Sequence, residues 1–98
     1  MSSNKLKVAV VGAGGISRAA HLPGWKNINE AEVVAIADIN PAAAKATAGE
    51  FCIPEVYTDY REMLKRSDVD VVDICIPNIQ HTPVTLAALE SGRHVICE

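Results

Sequence analysis

The stretch "VAVVGAGGISRAAHLPGW", residues 8–25, decides the fold of this chain. Gly12, Gly14 and Gly15 fall within four positions, between a run of valines and an alanine-containing segment. Glycine costs about 0.5–1 kcal/mol wherever it lies inside regular structure. The cluster therefore predicts a tight turn whose backbone is approached too closely for side chains to fit.

Strand and helix patterns flank this turn. Residues 6–11, "LKVAVV", are rich in β-branched valine and predict a strand buried on both faces. A helix is expected from about Gly15 to His21. Pro23 and Gly24 follow directly, and proline inside a helix removes a donor and clashes with the preceding turn, so the helix is expected to run no further.

The alternation of strands and helices continues to the end of the chain. Asn40 as N-cap and Pro41 as first helical residue give the second helix the clearest local signal. The other predicted strands are 31–38, 54–58, 70–77 and 94–97, and the predicted helices are 40–51, 59–67 and 82–91. This order predicts an α/β fold: a Rossmann-like, doubly wound parallel sheet of five strands in order 3-2-1-4-5, with helices on both faces. Ligands then bind at the switch point between strands one and four.

Composition and charge restrict the possible partners. The 98 residues, 49% hydrophobic and 21% charged, are typical of one small globular domain. The net charge is -3 and the basic residues form no stripe, so no nucleic acid partner is expected. Residues 1–12 contain neither a membrane span nor a signal-peptide cleavage pattern, so we expect no membrane association and a cytoplasmic location.

The cysteines and histidines show no metal-binding spacing. The three cysteines are odd in number and form no C-x-x-C pair, so we expect reduced, buried thiols and no metal site. The potential metal ligands considered are the cysteines Cys52, Cys75 and Cys97 and the histidines His21, His81 and His94.

Residues 12–17 carry the main functional signal. They follow a strand, open a helix and match G-x-G-x-x-G, except that Ser17 replaces the last glycine. In this pattern the first glycine makes the turn, the second lets the backbone approach a pyrophosphate, and N–H groups at the helix N-terminus bind the phosphates. We therefore predict a dinucleotide site at Gly12, Gly14, Gly15, Ile16 and Ser17, with Ser17 small enough for close helix packing. A purely structural turn is the alternative.

Asp38 strengthens the nucleotide prediction. It ends the second strand about 20 residues beyond the motif, where a carboxylate accepts hydrogen bonds from the adenosine ribose of NAD. The same charge repels the 2′-phosphate of NADP, and Ile39 and Asn40 follow rather than an arginine. NAD is therefore favoured over NADP. The alternative is that Asp38 is a solvated strand end.

The end of the fourth strand lies across the switch point. Pro77 stops this strand, so Pro77, Asn78 and His81 are placed to line the same crevice, although His81 is equally consistent with a structural role at a helix start. Asp73 is a carboxylate inside a strand expected to be covered on both faces. It must be hydrogen-bonded, and we expect a helix or loop N–H as its donor.

The segments "VGAGGIS", "HLPGW", "VVAIAD" and "VDICIPNIQHTPVTLAALESGRHVICE" resemble, in this order, the N-terminal domain of the glucose–fructose oxidoreductase and inositol dehydrogenase (Gfo/Idh/MocA) family. The resemblance spans essentially the whole chain. It implies an NAD(P)-binding Rossmann domain that precedes a larger substrate domain. It also implies oxidation of a hydroxyl on a sugar, cyclitol or related polyol.

The resemblance also implies roles for individual residues. Gly12, Gly14, Gly15 and Ile16 would lie along the pyrophosphate, and Asp38 would hold the adenosine ribose. Asn78 and His81 would line the nicotinamide half, and Glu98 would begin the family's E-K-P motif.

The chain ends at Glu98, before the lysine of that motif, so no catalytic residue is assigned. We expect a fragment that binds cofactor at most and lacks catalysis. The alternative is a non-catalytic scaffold module. An uncovered last strand also predicts a homodimer, through that sheet edge or by exchange of a terminal element.

Overall fold

The five strands form one parallel sheet. The computed structural model describes residues 5–66, 68–76 and 81–97, and of residues 81 and 82 it describes the backbone alone. In chain order the elements are β1 (Leu6–Val11), a π-helical turn (Ser17–His21), α1 (Leu22–Lys26), β2 (Ala31–Ala37), α2 (Pro41–Phe51), β3 (Glu55–Tyr57), α3 (Tyr60–Met63), β4 (Val71–Ile74), α4 (His81–Glu90) and β5 (His94–Cys97). The strand order is β3-β2-β1-β4-β5, and every neighbouring pair is parallel. The predicted fold class and strand order are confirmed.

The valine-rich strand β1 lies at the centre of the sheet. Its residues 8–11 are buried, because side chains on both faces pack under helices. Val11 pairs with Ala37 of β2 and with Ile74 of β4. The three strands therefore end at one edge of the sheet, and the loops that follow them meet there.

Each face of the sheet has its own apolar core. On one face α1 and α2 cover Val8, Val10, Ile36 and Val71, with Leu22 as a fully buried contact from α1. The opposite face packs against α3 and α4. The buried residues of this second core are Ala9, Val11, Ala35, Val72 and Ile74 from the strands, Met63 from α3, and Val84 and Ala88 from α4. None of the helices in the described ranges has the length and apolar character needed to cross a bilayer.

The second helix begins as the sequence predicts. The side chain of Asn40 accepts hydrogen bonds from the N–H groups of Ala42 at 3.1 Å and Ala43 at 3.2 Å. Pro41 occupies the first helical turn, where its missing N–H leaves no bond unmade. The start of α2 is thus fixed at the edge where β2 ends.

The first helix continues past its predicted end. It was expected to stop before Pro23 and Gly24, yet α1 includes both. The Leu22 N–H donates to the Ser17 carbonyl, five residues back, and this π-helical turn shifts the hydrogen-bond register by one residue. Pro23 consequently lies in the first turn of a new α-helical segment, where proline is tolerated.

The prediction that all three cysteines are buried is wrong for two of them. Cys75 is buried, whereas Cys52 and Cys97 are exposed, and none of the three forms a disulfide within the described residues. Cys52 ends α2 in a left-handed conformation, with φ 58°, at a surface turn. Cys97 lies on β5, a strand at the end of the sheet. Both positions are peripheral to the core.

Candidate cofactor-binding site

Gly12 makes the tight turn that ends β1. Its φ is +110°, a conformation that side chains disfavour, and its N–H donates to the Ala37 carbonyl at 2.7 Å. A Cβ on Gly12 would lie 2.4 Å from the carbonyl oxygen of Cys75 and 2.9 Å from its carbon. The group that approaches the backbone at Gly12 is therefore the chain segment that leaves β4.

Gly14 and Gly15 border open space instead. A Cβ on either would meet nothing within 4 Å, both residues are exposed, and the neighbouring Ile16 is 48% exposed. The Arg18 N–H already donates to the Gly14 carbonyl, so the helix begins here. Within the described part of the chain, the N–H groups of Gly14, Gly15 and Ile16 have no protein acceptor. These features are typical of a helix N-terminus that binds an anion.

Ser17, at the third glycine position of the motif, faces inward. It is fully buried, so it meets the need for a small residue at a close helix-to-strand contact. Its hydroxyl has no hydrogen-bond partner among the described residues. Its side chain therefore serves packing at this contact.

Asp38 links the glycine turn to the start of α2. Its Oδ2 accepts a hydrogen bond from the Ala13 N–H at 2.7 Å, and its Oδ1 accepts one from the Asn40 N–H at 2.8 Å. The residue is half-buried, and its own N–H donates to the Tyr57 carbonyl. Both carboxylate oxygens of Asp38 are thus held in place at the end of β2 by backbone donors. Each oxygen keeps lone-pair capacity for a further donor such as a ribose hydroxyl.

An apolar cavity opens beside Asp38 at the carboxyl ends of the strands. Its volume is about 370 Å³, within the range of small-molecule sites. It is lined by Val11, Ala37, Asp38, Ile39, Thr58, Tyr60, Ile76, Pro83 and Val84. The rule that ligands bind beyond the carboxyl ends of parallel strands already indicates this edge of the sheet. The cavity-lining residues from α3 and α4 are evident only from the fold. A slightly larger cavity, about 410 Å³, lies at the amino-terminal edge near Lys5 and Ala31, away from the glycine turn.

Part of the predicted site falls outside the described residues. Pro77, Asn78 and Glu98 are not described, nor is the side chain of His81. His81 is the first residue of α4, and only its backbone is described. The roles of Asn78 and His81 at the nicotinamide half, and those of Pro77 and Glu98 in the cofactor site, therefore remain predictions.

Asp73 is the centre of a buried polar network behind the glycine turn. It is 1% exposed, accepts a hydrogen bond from Trp25 Nε1 at 2.8 Å, and lies 2.8 Å and 3.0 Å from His21 Nδ1 through its two oxygens. The thiol of Cys75 is a third, weaker donor at 3.6 Å. The expectation that a backbone N–H would satisfy Asp73 is wrong, because the donors are side chains contributed mainly by the first helix.

The same network brings three metal-ligating groups together. One ligand atom each from His21, Asp73 and Cys75 lies within 4.8 Å of the other two. Sequence spacing missed this group because His21 comes from a distant element, although Asp73 and Cys75 share one face of a strand. The carboxylate already receives hydrogen bonds from side-chain donors, so its burial needs no cation to explain it.

The comparison with protein-family models decides the affiliation. The model of the oxidoreductase family with an NAD-binding Rossmann fold matches residues 6–98. The chain belongs to this family.

Curated relatives are similar over the whole chain but are much longer. The D-glucoside 3-dehydrogenase of Escherichia coli is 39% identical over 98 residues, which is 100% of this chain and 28% of the relative. The inositol 2-dehydrogenase of Salmonella typhimurium is 37% identical over 95 residues, 95% of this chain and 28% of the relative. The chain thus spans less than a third of the length of these relatives.

Solved structures share the same architecture. The 3-ketoreductase of Actinomadura kijaniata in complex with NADP superposes with a TM-score of 0.89 at 32% identity, over 96% of this chain and 30% of that one. The myo-inositol dehydrogenase of Lactobacillus casei in complex with NAD(H) and myo-inositol gives 0.89 at 33% identity, over 95% and 28%. Of these two proteins, one is therefore seen in complex with NADP and the other with NAD(H).

Proposed function

We propose that this chain binds NAD across the carboxyl edge of its sheet. The observation that carries the proposal is the position of the Asp38 carboxylate, bonded to the glycine turn on one side and lining the apolar cavity on the other. The pyrophosphate would lie along residues 12–17, held by N–H groups of Gly14, Gly15 and Ile16. The adenine would occupy the cavity, with the ribose hydroxyls donating to Asp38.

NAD is preferred over NADP in this proposal because of charge. A 2′-phosphate would lie beside the fixed anion of Asp38. Ile39, which follows, is apolar and 81% exposed, and the Asn40 side chain accepts hydrogen bonds as the cap of α2. Neither residue offers the cation that a phosphate needs.

We propose that a full-length protein containing this domain, of a length like that of its relatives, transfers hydride to the cofactor. The relatives include dehydrogenases of a glucoside and of inositol, which supports an alcohol carbon of a sugar, cyclitol or related polyol as the site of oxidation. For the 98 residues themselves we propose cofactor binding and no turnover. The supporting fact is that those activities belong to chains of which this one covers less than a third.

Calorimetric titration with NAD and NADP tests this proposal. Asp38→Asn removes the charge but keeps an acceptor for Ala13, so we expect weaker NAD binding and an NAD to NADP affinity ratio that falls by about tenfold. Asp70→Asn is the matched control. The Asp70 carboxylate also accepts a backbone N–H, that of Lys7 at 2.9 Å, but at the opposite edge of the sheet. An unchanged ratio in Asp38→Asn would refute the assignment.

A homodimer is a further part of the proposal. Within the described residues β5 pairs only with β4, and Ile96 on β5 is 43% exposed. Two copies would pair along this edge or exchange a terminal element. Sedimentation at tens of micromolar tests it, and a single monomeric species would refute it. A dimer without nucleotide binding would instead support the non-catalytic scaffold.

A further inference from the structure

The buried carboxylate of Asp73 is an unusual component of a parallel strand. It lies on β4 between Val10 of β1 and Ile96 of β5, and it is 1% exposed. An apolar residue would fill this position at lower cost, because removing a carboxylate from water is expensive even when donors replace the water. A carboxylate, unlike an apolar side chain, fixes the orientation of the groups packed against it, because hydrogen bonds have preferred angles and apolar contacts do not.

Two of its donors come from the helix that follows the glycine turn. His21 and Trp25 are four residues apart and so share one helix face. His21 Nδ1 and Trp25 Nε1 each lie 2.8 Å from the same oxygen, Asp73 Oδ2. Leu22 packs from the same helix as a buried apolar contact. The two hydrogen-bonding side chains therefore fix both the rotation and the axial position of this helix over β4.

Two backbone hydrogen bonds of the helix lie between this anchor and the glycine turn. The Arg18 N–H donates to the Gly14 carbonyl, and the Leu22 N–H donates to the Ser17 carbonyl through the π-helical turn. Gly14 and Gly15 contribute no side chains that would hold the turn in place. The turn is thus held in place on both sides. Before it, Asp38 accepts a hydrogen bond from the Ala13 N–H, and after it, Asp73 bonds His21 and Trp25 of the helix.

We propose that Asp73 is a positioning residue for the pyrophosphate of the cofactor. It acts through His21 and Trp25, which orient the helix so that the N–H groups of Gly14, Gly15 and Ile16 converge on the phosphates. This inference rests on the proposed function, and it adds a set of buried residues that do not touch the cofactor. Loss of the anchor reduces the phosphate-dependent part of the affinity and leaves the adenosine part intact.

The test compares ADP with adenosine on the 98-residue chain. Adenosine uses only the cavity and Asp38, whereas ADP adds the pyrophosphate, so the ratio of the two dissociation constants measures the contribution of the turn. Trp25→Phe and His21→Phe each remove one donor and keep an aromatic ring. We expect each to lower the ADP advantage about five- to tenfold, with adenosine binding changed by less than about twofold.

Two further variants separate positioning from general loosening. His21→Asn places an amide N–H where Nδ1 donates, so it is expected to retain the ADP advantage within about twofold of the unaltered chain. Val72→Ala shortens the neighbouring buried residue of β4 on the opposite face, so it lowers stability without touching the anchor. It is expected to lower the melting temperature and to leave the ADP advantage unchanged.

The outcomes separate a failure of cofactor binding from a failure of the positioning role of Asp73. If the unaltered chain binds neither ADP nor NAD, the proposed function is wrong and the positioning role is wrong with it. If the chain binds both, and Trp25→Phe and His21→Phe keep the full ADP advantage while folded, only the positioning role is refuted. An equal loss in Val72→Ala would also refute it, because the effect would then follow stability alone.

Discussion

Replacement of Gly12 by alanine is expected to destabilise the fold strongly. The new Cβ would lie 2.4 Å from the Cys75 carbonyl oxygen, and the φ of +110° is strained for any side chain. An unfavourable backbone conformation costs about 1–3 kcal/mol. Forced overpacking costs another 1–3 kcal/mol or so. The expected loss of roughly 2–6 kcal/mol is a large part of the 5–15 kcal/mol or so that stabilises a typical domain.

Thermal and urea unfolding measure this loss directly. For a domain of this size each kcal/mol shifts the melting temperature by about 4–8 °C, so Gly12→Ala should melt more than about 8 °C below the unaltered chain. Gly14→Ala is the matched control, since the same methyl group meets nothing within 4 Å. It should leave stability nearly unchanged and weaken ADP binding. Equal stability of the two variants would refute the close approach of the chain beyond β4 to Gly12.

Three further predictions concern stability. Ser17→Ala removes a buried hydroxyl that has no partner among the described residues, so it should leave the free energy of unfolding unchanged or raise it by up to about 1 kcal/mol in urea denaturation. Cys52→Gly should raise the melting temperature, because glycine adopts the left-handed end of α2 at lower cost, and a decrease would contradict this reasoning. Asp59 is the N-cap of α3, and its side chain accepts a hydrogen bond from the Arg61 N–H at 2.9 Å. The Arg61 backbone N–H and then its side chain lower the pKa of Asp59 below 3.8, so the stability from this cap is present above pH 3.8 and is lost as the pH falls through the folded-state value. The melting temperature of Asp59→Asn should accordingly depend less on pH below 3.8.

Local patterns account for most of the secondary structure and for where the candidate site was predicted. Asn40 and Pro41 start α2 because capping depends on a few neighbouring residues. Gly12 and Asp38 could be assigned because strand ends and glycine turns have fixed spacing in this fold. The cavity contributions of Tyr60 and Val84 were missed, since they depend on how α3 and α4 pack over the sheet.

The sequence by itself determined the alternating strands and helices and the position of the glycine turn, because each depends on residues within a few positions of one another. The parallel order followed from that alternation, because each helix crosses over between two parallel strands. Only the tertiary structure decided which groups satisfy Asp73, why α1 continues through Pro23, and which cysteines are exposed. The physical reason is burial. A buried carboxylate must find donors wherever the fold brings them, and His21 and Trp25 approach it across 52 and 48 residues of chain, a separation that no local pattern encodes.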